Sequence, residues 1–273
     1  MRKLNDNECK KVMLEMANVI HEICLANDIK YSLAYGTLIG AIRHGGFIPW
    51  DDDFDIFLTR KNYEKLIMAL KKLDDFYLLD LNDNGYNLNF AKLCHKRYVG
   101  EFLDKKHEIY FKNFGIFIDI FCLDEIDKDQ KDNHFLKLRN LLKSIEILGN
   151  PSHERSDENL VRKIAKRLIF LPKVLYYKFF LKREKLVKNY QKLEQIFNGT
   201  GQENLGILSA GFKEIYQKSD FVDYHLQKFE DYEFMIVKNY DRVLRTYYGD
   251  YTQLPPENER VGHHPYAFFD TKI

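Results

Sequence analysis

The chain has 273 residues, 45% of them hydrophobic and 30% charged, and its 42 Lys+Arg against 41 Asp+Glu leave a formal net charge of +1. That length and apolar content suffice to bury one large core, or a core with a smaller accessory region, while the near-neutral balance excludes any global electrostatic case for a nucleic-acid or membrane partner. No stretch reaches the roughly 20 apolar residues that cross a bilayer, and the opening MRKLNDNECKK lacks the apolar segment of a signal peptide, so the expected location is the cytosol.

Val12, Met16, Val19, Ile20 and Ile23 recur at helical spacing and predict an amphipathic helix from about residue 8 to 26. Asn27-Asp28 breaks it. Tyr31 to Tyr35 reads as a short strand running into Gly36-Thr37, after which Leu38, Ile39 and Ile42 resume a helical period that Gly45-Gly46 and Pro49 end. Phe54 to Leu58 is a second strand, and Thr59 caps a helix carrying Tyr63, Leu66, Ile67, Leu70 and Leu73. Gly85 to Lys96 is strand-like with a weaker pattern, and Gly115 to Phe121 is a third strong strand. From about 127 to 195 the chain is helical and charged, with breaks at Gly149-Asn150-Pro151 and Pro172. After a Gly-rich break at Asn198 to Gly201 come a strand, Tyr232 to Val237, and a helix from Tyr240 to Tyr248 stopped by Gly249. The expected division is a core over 1–126, a helical accessory region over 127–205 and a C-terminal segment over 206–273 that returns to the site. Cys9, Cys24, Cys94 and Cys122 are scattered without C-x-x-C spacing, which predicts reduced structural thiols.

The chemistry concentrates in Pro49-Trp50-Asp51-Asp52-Asp53-Phe54-Asp55-Ile56-Phe57. Strand side chains alternate faces, so Asp53 and Asp55 point one way while Phe54 and Ile56 point the other. Paired carboxylates repel unless a cation neutralises them, and a hard ion such as Mg²⁺ or Mn²⁺ suits clustered carboxylate oxygens. Asp51 and Asp52 read equally as part of this site or as an acidic turn. Asp119 is the polar residue in the apolar run Gly-Ile-Phe-Ile-Asp-Ile-Phe, where an isolated carboxylate is costly. It would either join Asp53 and Asp55 around one metal or pair with a core Arg or Lys.

Gly36-Thr37 lies between a strand end and a helix start, a place where backbone N–H groups and the helix dipole favour a phosphate. Arg43 and His44 at the helix end, with Lys92 and Arg97 around the weaker strand, would neutralise a pyrophosphate or a transferred phosphate, or else be solvated surface groups.

The run from Tyr35-Gly36-Thr37 through Arg43-His44-Gly45-Gly46 and Pro49-Trp50-Asp51-Asp52-Asp53-Phe54-Asp55-Ile56 resembles the signature of the LicD family. The resemblance extends to Gly115–Phe121, to Tyr248-Gly249-Asp250-Tyr251, to Leu254-Pro255-Pro256 and to His263-His264, and so spans roughly residues 10 to 265. It implies an α/β (α+β) fold of nucleotidyltransferase type, a mixed sheet flanked by helices, in which a Gly-Thr/Ser turn and an acidic strand bind nucleotide phosphates and metal. It also implies that Asp53, Asp55 and Asp119 are catalytic metal ligands for Mg²⁺ or Mn²⁺, with His263 and His264 either in the active site or on the surface.

Family members similar to this chain move phosphocholine from CDP-choline to a sugar hydroxyl of teichoic acid, lipopolysaccharide or capsule precursors, others carry glycerol or ribitol phosphate, and fukutin-type transferases look related. The implied partners are therefore a CDP-activated donor and a lipid-linked glycan acceptor, with no nucleic acid. Transfer of a whole nucleotide to a small molecule is the alternative within enzymes; Ca²⁺ binding without turnover is disfavoured, since no EF-hand loop is present. Arg162 to Lys188 carries ten Lys/Arg and one acid, Glu184, among aromatic residues. This stretch would either touch the inner face of the plasma membrane peripherally or pack on the core with solvated lysines.

Overall fold

The computed structural model describes residues 1–83, 85–103, 112–149, 182–207, 214–262 and 266–272. In chain order these form β1 (Arg2–Lys3), α1 (Asp6–Ala26), β2 (Ser32–Leu33), α2 (Tyr35–Arg43), β3 (Asp55–Thr59), α3 (Arg60–Leu70), β4 (Phe76–Leu79), β5 (Ala91–His95), β6 (Tyr98–Phe102) and β7 (Phe117–Ile126). There follow α4 (Lys131–Gly149), α5 (Arg183–Glu194), β8 (Asn204–Gly206), β9 (Ile215–Gln217), β10 (Tyr224–Phe229), β11 (Tyr232–Val237), α6 (Tyr240–Tyr248) and β12 (Tyr266–Asp270).

A mixed sheet runs β2-β3-β7-β5-β4, with β8 joined to the far half of β7 and β9 to β8. Its one parallel pair is β3 with β7; β5 pairs antiparallel to the first half of β7. Alternation then gives the sheet two apolar faces. Ile56, Leu58, Ile118 and Ile120 share a core with Met13, Ile20 and Leu66 of the covering helices. On the opposite face Phe57 and Leu123 pack with Leu205, Tyr216, Val237 and Val243. The expected α/β class with helices flanking a mixed sheet is the observed one.

Helix α1 starts at Asp6, earlier than its apolar period suggests, because Asn5 and Glu8 form a capping box: Glu8 N donates to Asn5 Oδ1 (3.0 Å) and Asn5 N to Glu8 Oε2 (2.9 Å). The strand expected over Gly85 to Lys96 narrows to β5. Strand β7 runs on to Ile126 rather than ending at Phe121, since its second half finds a new antiparallel partner in β8. Helix α6 ends where expected, at Gly249, whose φ of 71° lies in the left-handed region. Strands β1, β4, β6, β8, β9, β10 and β12 went unpredicted. The last of these forms a separate sheet, β1-β12-β6, fastened by a bidentate Arg97–Asp270 pair (2.9 and 2.6 Å).

Helices α4 and α5 pack through Leu138, Ile145, Leu186, Val187 and Tyr190 against Leu81 and Ile126. Residues 150–181, and with them most of the basic 162–188 stretch, lie outside the described residues. Where α5 reaches the sheet, Arg60 donates twice to Asp124 (2.8 and 2.5 Å) and once to Glu194 (3.0 Å). One guanidinium thus serves two acids, and burial with the nearby Asp124 charge pushes the Glu194 carboxyl up to about 8.

A carboxyl whose pKa is higher folded than unfolded binds its proton more tightly in the native state, so its contribution is whole below about pH 4.5 and is lost as pH rises through 8. Urea unfolding at pH 5 and pH 8 should show wild-type stability falling more steeply than that of Glu194→Gln. The excess will be smaller than the shift alone implies, because the Glu194 side chain keeps 17% of its surface exposed. Parallel slopes for the two proteins would contradict this account.

Candidate active site

The parallel pairing of β3 with β7 sets Asp55 directly beside Asp119, and the antiparallel pairing of β5 with β7 sets Lys92 on the other side of Asp119. Residues directly opposite one another share a face. Asp55, Asp119 and Lys92 therefore form a row across three adjacent strands. Lys92 Nζ donates to Asp119 Oδ1 at 2.5 Å, both side chains are more than nine-tenths buried, and the ammonium lies 3.3 Å from the Phe117 ring centroid. Both sequence readings of Asp119 meet here: it adjoins the β3 acid, and it is paired with a core lysine. Lys92, expected to face a phosphate, is committed to Asp119.

Asp55 is held by its backbone. Its N–H donates to Thr37 Oγ1 (3.0 Å) and its carbonyl accepts from Ala34 N (2.9 Å), so the start of α2 fixes the acid from behind. Its carboxylate is 6% exposed and accepts no hydrogen bond among the described residues. Burial, then Asp53, Asp119 and Asp51 in turn, raises its pKa well above the ordinary carboxylate range, with Lys92 opposing.

Carboxylate oxygens of Asp51, Asp52 and Asp53 lie within 4.8 Å of one another. Burial and the Asp53 charge push Asp51 up to about 8, with Lys10 opposing more weakly. With both acids ionised, Asp51 Oδ2 is a buried oxygen without a donor; protonated, Asp51 donates to Asp53. A buried acid without a donor and a second one held partly protonated are what a carboxylate set shows when it lacks positive charge, and oxygen-only ligands suit Mg²⁺ or Mn²⁺. The residues fit such an ion.

Two elements of the expected phosphate cradle act otherwise. A Cβ on Gly36 would stand 2.6 Å from Asp51 Oδ2, so this glycine makes room for a carboxylate over the start of α2. Thr37 is 1% exposed and turned inward to Asp55 N rather than capping the helix. Two cations are likewise occupied. Arg43 Nη1 donates to the carbonyls of Tyr251 (2.8 Å) and Gln253 (3.3 Å), and Arg97 pairs with Asp270, so the C-terminal segment supplies partners to both cations that were expected to meet a phosphate.

His44 stands edge-on to Trp50. His263 and His264 lie outside the described residues, between Gly262, where an added Cβ would stand 3.0 Å from Asp52 Oδ2, and β12. A cavity of about 480 Å³ opens beside Asp51 and Asp52, lined also by Lys10, Trp50, Arg260 and Tyr266.

Sequence reasoning missed the tyrosines around the acids. Tyr35 begins α2 with φ 44°, a left-handed conformation rare for an aromatic residue. Burial chiefly raises the pKa of Tyr35, Tyr247 and Tyr248, and Asp55 adds a smaller push in each, which places their hydroxyls in the field of the cluster. The adjacent Tyr pair at the end of α6 was the available signal; nothing in the sequence marked Tyr35 as strained.

Residues 28–155 match the LicD/FKTN/FKRP nucleotidyltransferase domain. The chain is 29% identical to the lipopolysaccharide cholinephosphotransferase LicD of Haemophilus influenzae, with 97% of each protein covered. It is 28% identical to an uncharacterised protein of Rickettsia prowazekii, over 80% of this chain and 85% of that one. The ribitol 5-phosphate transferase FKRP of mouse and of human is similar over 48 residues, 40% identical, covering 18% of this chain and 10% of theirs.

Proposed function

We propose that this chain is a LicD-type transferase that moves phosphocholine from CDP-choline to a sugar hydroxyl of a cell-surface glycan precursor. The observation that carries the reading is the row of Asp55 and Asp119 on neighbouring strands, in a chain that matches a lipopolysaccharide cholinephosphotransferase over almost its whole length.

Asp53, Asp55 and Asp119, with Asp51 against Asp53, would hold a Mg²⁺ or Mn²⁺ ion, which when bound neutralises negative charge on the donor diphosphate. The remaining work falls to the chain. Thr37 and Ala34 fix Asp55 through its backbone, Lys92 fixes Asp119, and the 480 Å³ cavity beside Asp51 and Asp52 gives a substrate room next to the acids. The acceptor oxygen forms a bond to the phosphorus of phosphocholine as the bond from that phosphorus to the bridging oxygen breaks. CMP leaves with that oxygen and its electron pair, and the hydroxyl proton passes to a carboxylate of the cluster.

Among the described residues no helix is long and apolar enough to cross a membrane. We read the acceptor as lipid-linked and the enzyme as a cytoplasmic protein that meets the inner leaflet peripherally through 162–188. A polyol phosphate is the second candidate cargo, favoured by the local similarity to ribitol 5-phosphate transferases.

Mass spectrometry of products from CDP-choline, CDP-glycerol and CDP-ribitol, each with a glycan acceptor and Mg²⁺, tests the reading. CMP and a phosphocholine-bearing glycan should form at least about tenfold faster from CDP-choline than from the others, and chelation should stop the reaction. CMP from CDP-ribitol alone would transfer the assignment to the polyol, and a CMP-bearing acceptor with free phosphocholine in place of CMP would overturn it for nucleotidyl transfer.

A further inference from the structure

One strand step beyond the acid row, on the same face of the sheet, the side chains turn from carboxylate to aromatic. Phe57 follows Asp55 by two residues, Phe121 follows Asp119 by two, and the two phenylalanines are themselves strand partners. That step is about 6.6 Å along the strand. Tyr35 stands over both, with ring centroids 4.7 Å from Phe57 and 5.0 Å from Phe121, and Tyr247 of α6 lies 5.2 Å from Tyr35. Phe90 extends the wall, 4.4 Å from Phe121. Phe57 is buried, whereas Tyr35, Phe90, Phe121 and Tyr247 each keep part of their surface exposed.

Behind this wall sits Glu214, 3% exposed, accepting hydrogen bonds from Tyr35 Oη (3.0 Å) and Tyr216 Oη (2.8 Å). No Lys, Arg or His among the described residues pairs with it. A buried carboxylate usually has a cationic partner. Here two phenols take that place, and a phenol donating to a carboxylate gains electron density in its ring. Tyr35 is held at φ 44°, a strained conformation that persists only where the surroundings enforce it.

Rings packed edge to face and backed by a carboxylate match one chemistry. A quaternary ammonium has a positive charge and no N–H to donate, and it is bound by aromatic faces. We propose that the wall of Tyr35, Phe121 and Tyr247, backed by Glu214, is the subsite that receives the quaternary ammonium of the transferred alcohol while the acid row handles its phosphate. The proposal rests on reading the chain as a phosphocholine transferase, and it assigns to these residues the discrimination between choline and an uncharged alcohol.

The test compares CDP-choline with its uncharged isostere, CDP-3,3-dimethylbutanol, which replaces the nitrogen by carbon. The readout is the ratio of their kcat/KM values in wild type, Glu214→Gln, Tyr247→Leu and Tyr247→Phe. A merely structural role would lower both substrates together and leave the ratio alone. The expected ratio is about tenfold or more in wild type, is kept by Tyr247→Phe, and falls to within about twofold of unity in Tyr247→Leu and Glu214→Gln. If either of the last two fails to fold, the other decides.

Calorimetric titration of phosphocholine against 3,3-dimethylbutyl phosphate repeats the comparison without turnover, so it stands even if no CDP-alcohol releases CMP. A ratio near unity in wild type, or one unmoved by both substitutions, overturns the subsite while leaving the transferase reading intact. Absence of CMP from every donor, with phosphocholine still preferred in the calorimeter, sinks the transferase reading and retains the subsite.

Discussion

Asp55→Asn should reduce CMP release on the order of 10³-fold or more while leaving the melting temperature unchanged or raised. The substitution keeps the shape, and the backbone bonds from Thr37 and Ala34 do not involve the side chain. What it removes is a nearly buried carboxyl with no hydrogen-bond donor among the described residues, whose negative charge is disfavoured by burial and by Asp53, Asp119 and Asp51 in turn. In the bare protein that charge costs stability; in the working enzyme it would draw a cation to the donor diphosphate. Two measurements therefore move in different directions. Added Mg²⁺ should raise the melting temperature of wild type but not of the variant. Activity within tenfold of wild type, or a variant that no longer folds, would remove Asp55 from the role assigned to it.

Lys92→Met carries the second large effect, and its sign depends on the ion. Without divalent cation the variant leaves the Asp119 carboxylate, 6% exposed, beside Asp55 with no ammonium at 2.5 Å, and breaking a buried pair in this way costs about 3–5 kcal/mol. Methionine fills the lost volume against Phe117, so the loss is electrostatic rather than a cavity. With millimolar Mg²⁺ or Mn²⁺ a substantial part of that stability should return, because the ion replaces the ammonium among the acids. Denaturant midpoints measured with metal and with chelator give the answer. A variant as stable as wild type under chelation, or one that metal does not help, would mean that Asp119 is bound to Lys92 for structural reasons alone.

The strand bearing Asp55 was legible because a period of two separates acids from Phe54 and Ile56, and Asp119 stood out by its isolation among apolar neighbours. Which strands lie side by side is a different kind of information. Lys92 was noticed as a cation, but its partner Asp119 could not be read, because that contact exists only through the pairing of β5 with β7. The partners of Arg43 and Arg97 were illegible for a related reason: Tyr251, Gln253 and Asp270 arrive from more than 170 positions further along the chain, and no local pattern anticipates them.

Gly36 was rightly marked as a point of close approach, yet the group that approaches is Asp51, which the sequence left undecided between site and turn. Strands β6 and β12 escaped notice because each is short and its strand partners lie far away along the chain, β12 standing between β1 and β6. The left-handed backbone of Tyr35 and the carboxylate behind its ring have no sequence signature at all. They arise from how α2, β9 and α6 converge.

The two backbone bonds that fix Asp55 also set the phase of the pleat. A displacement of β3 by a single position would present Phe54 or Ile56 where the acid now stands and send the acid into the oily layer beneath α1 and α3. Changing the number of residues between His44 and Phe54 is therefore harmless only if the slack stays in that connection. An odd offset carried through into the strand would exchange chemistry for grease in one move, with the overall outline of the molecule preserved.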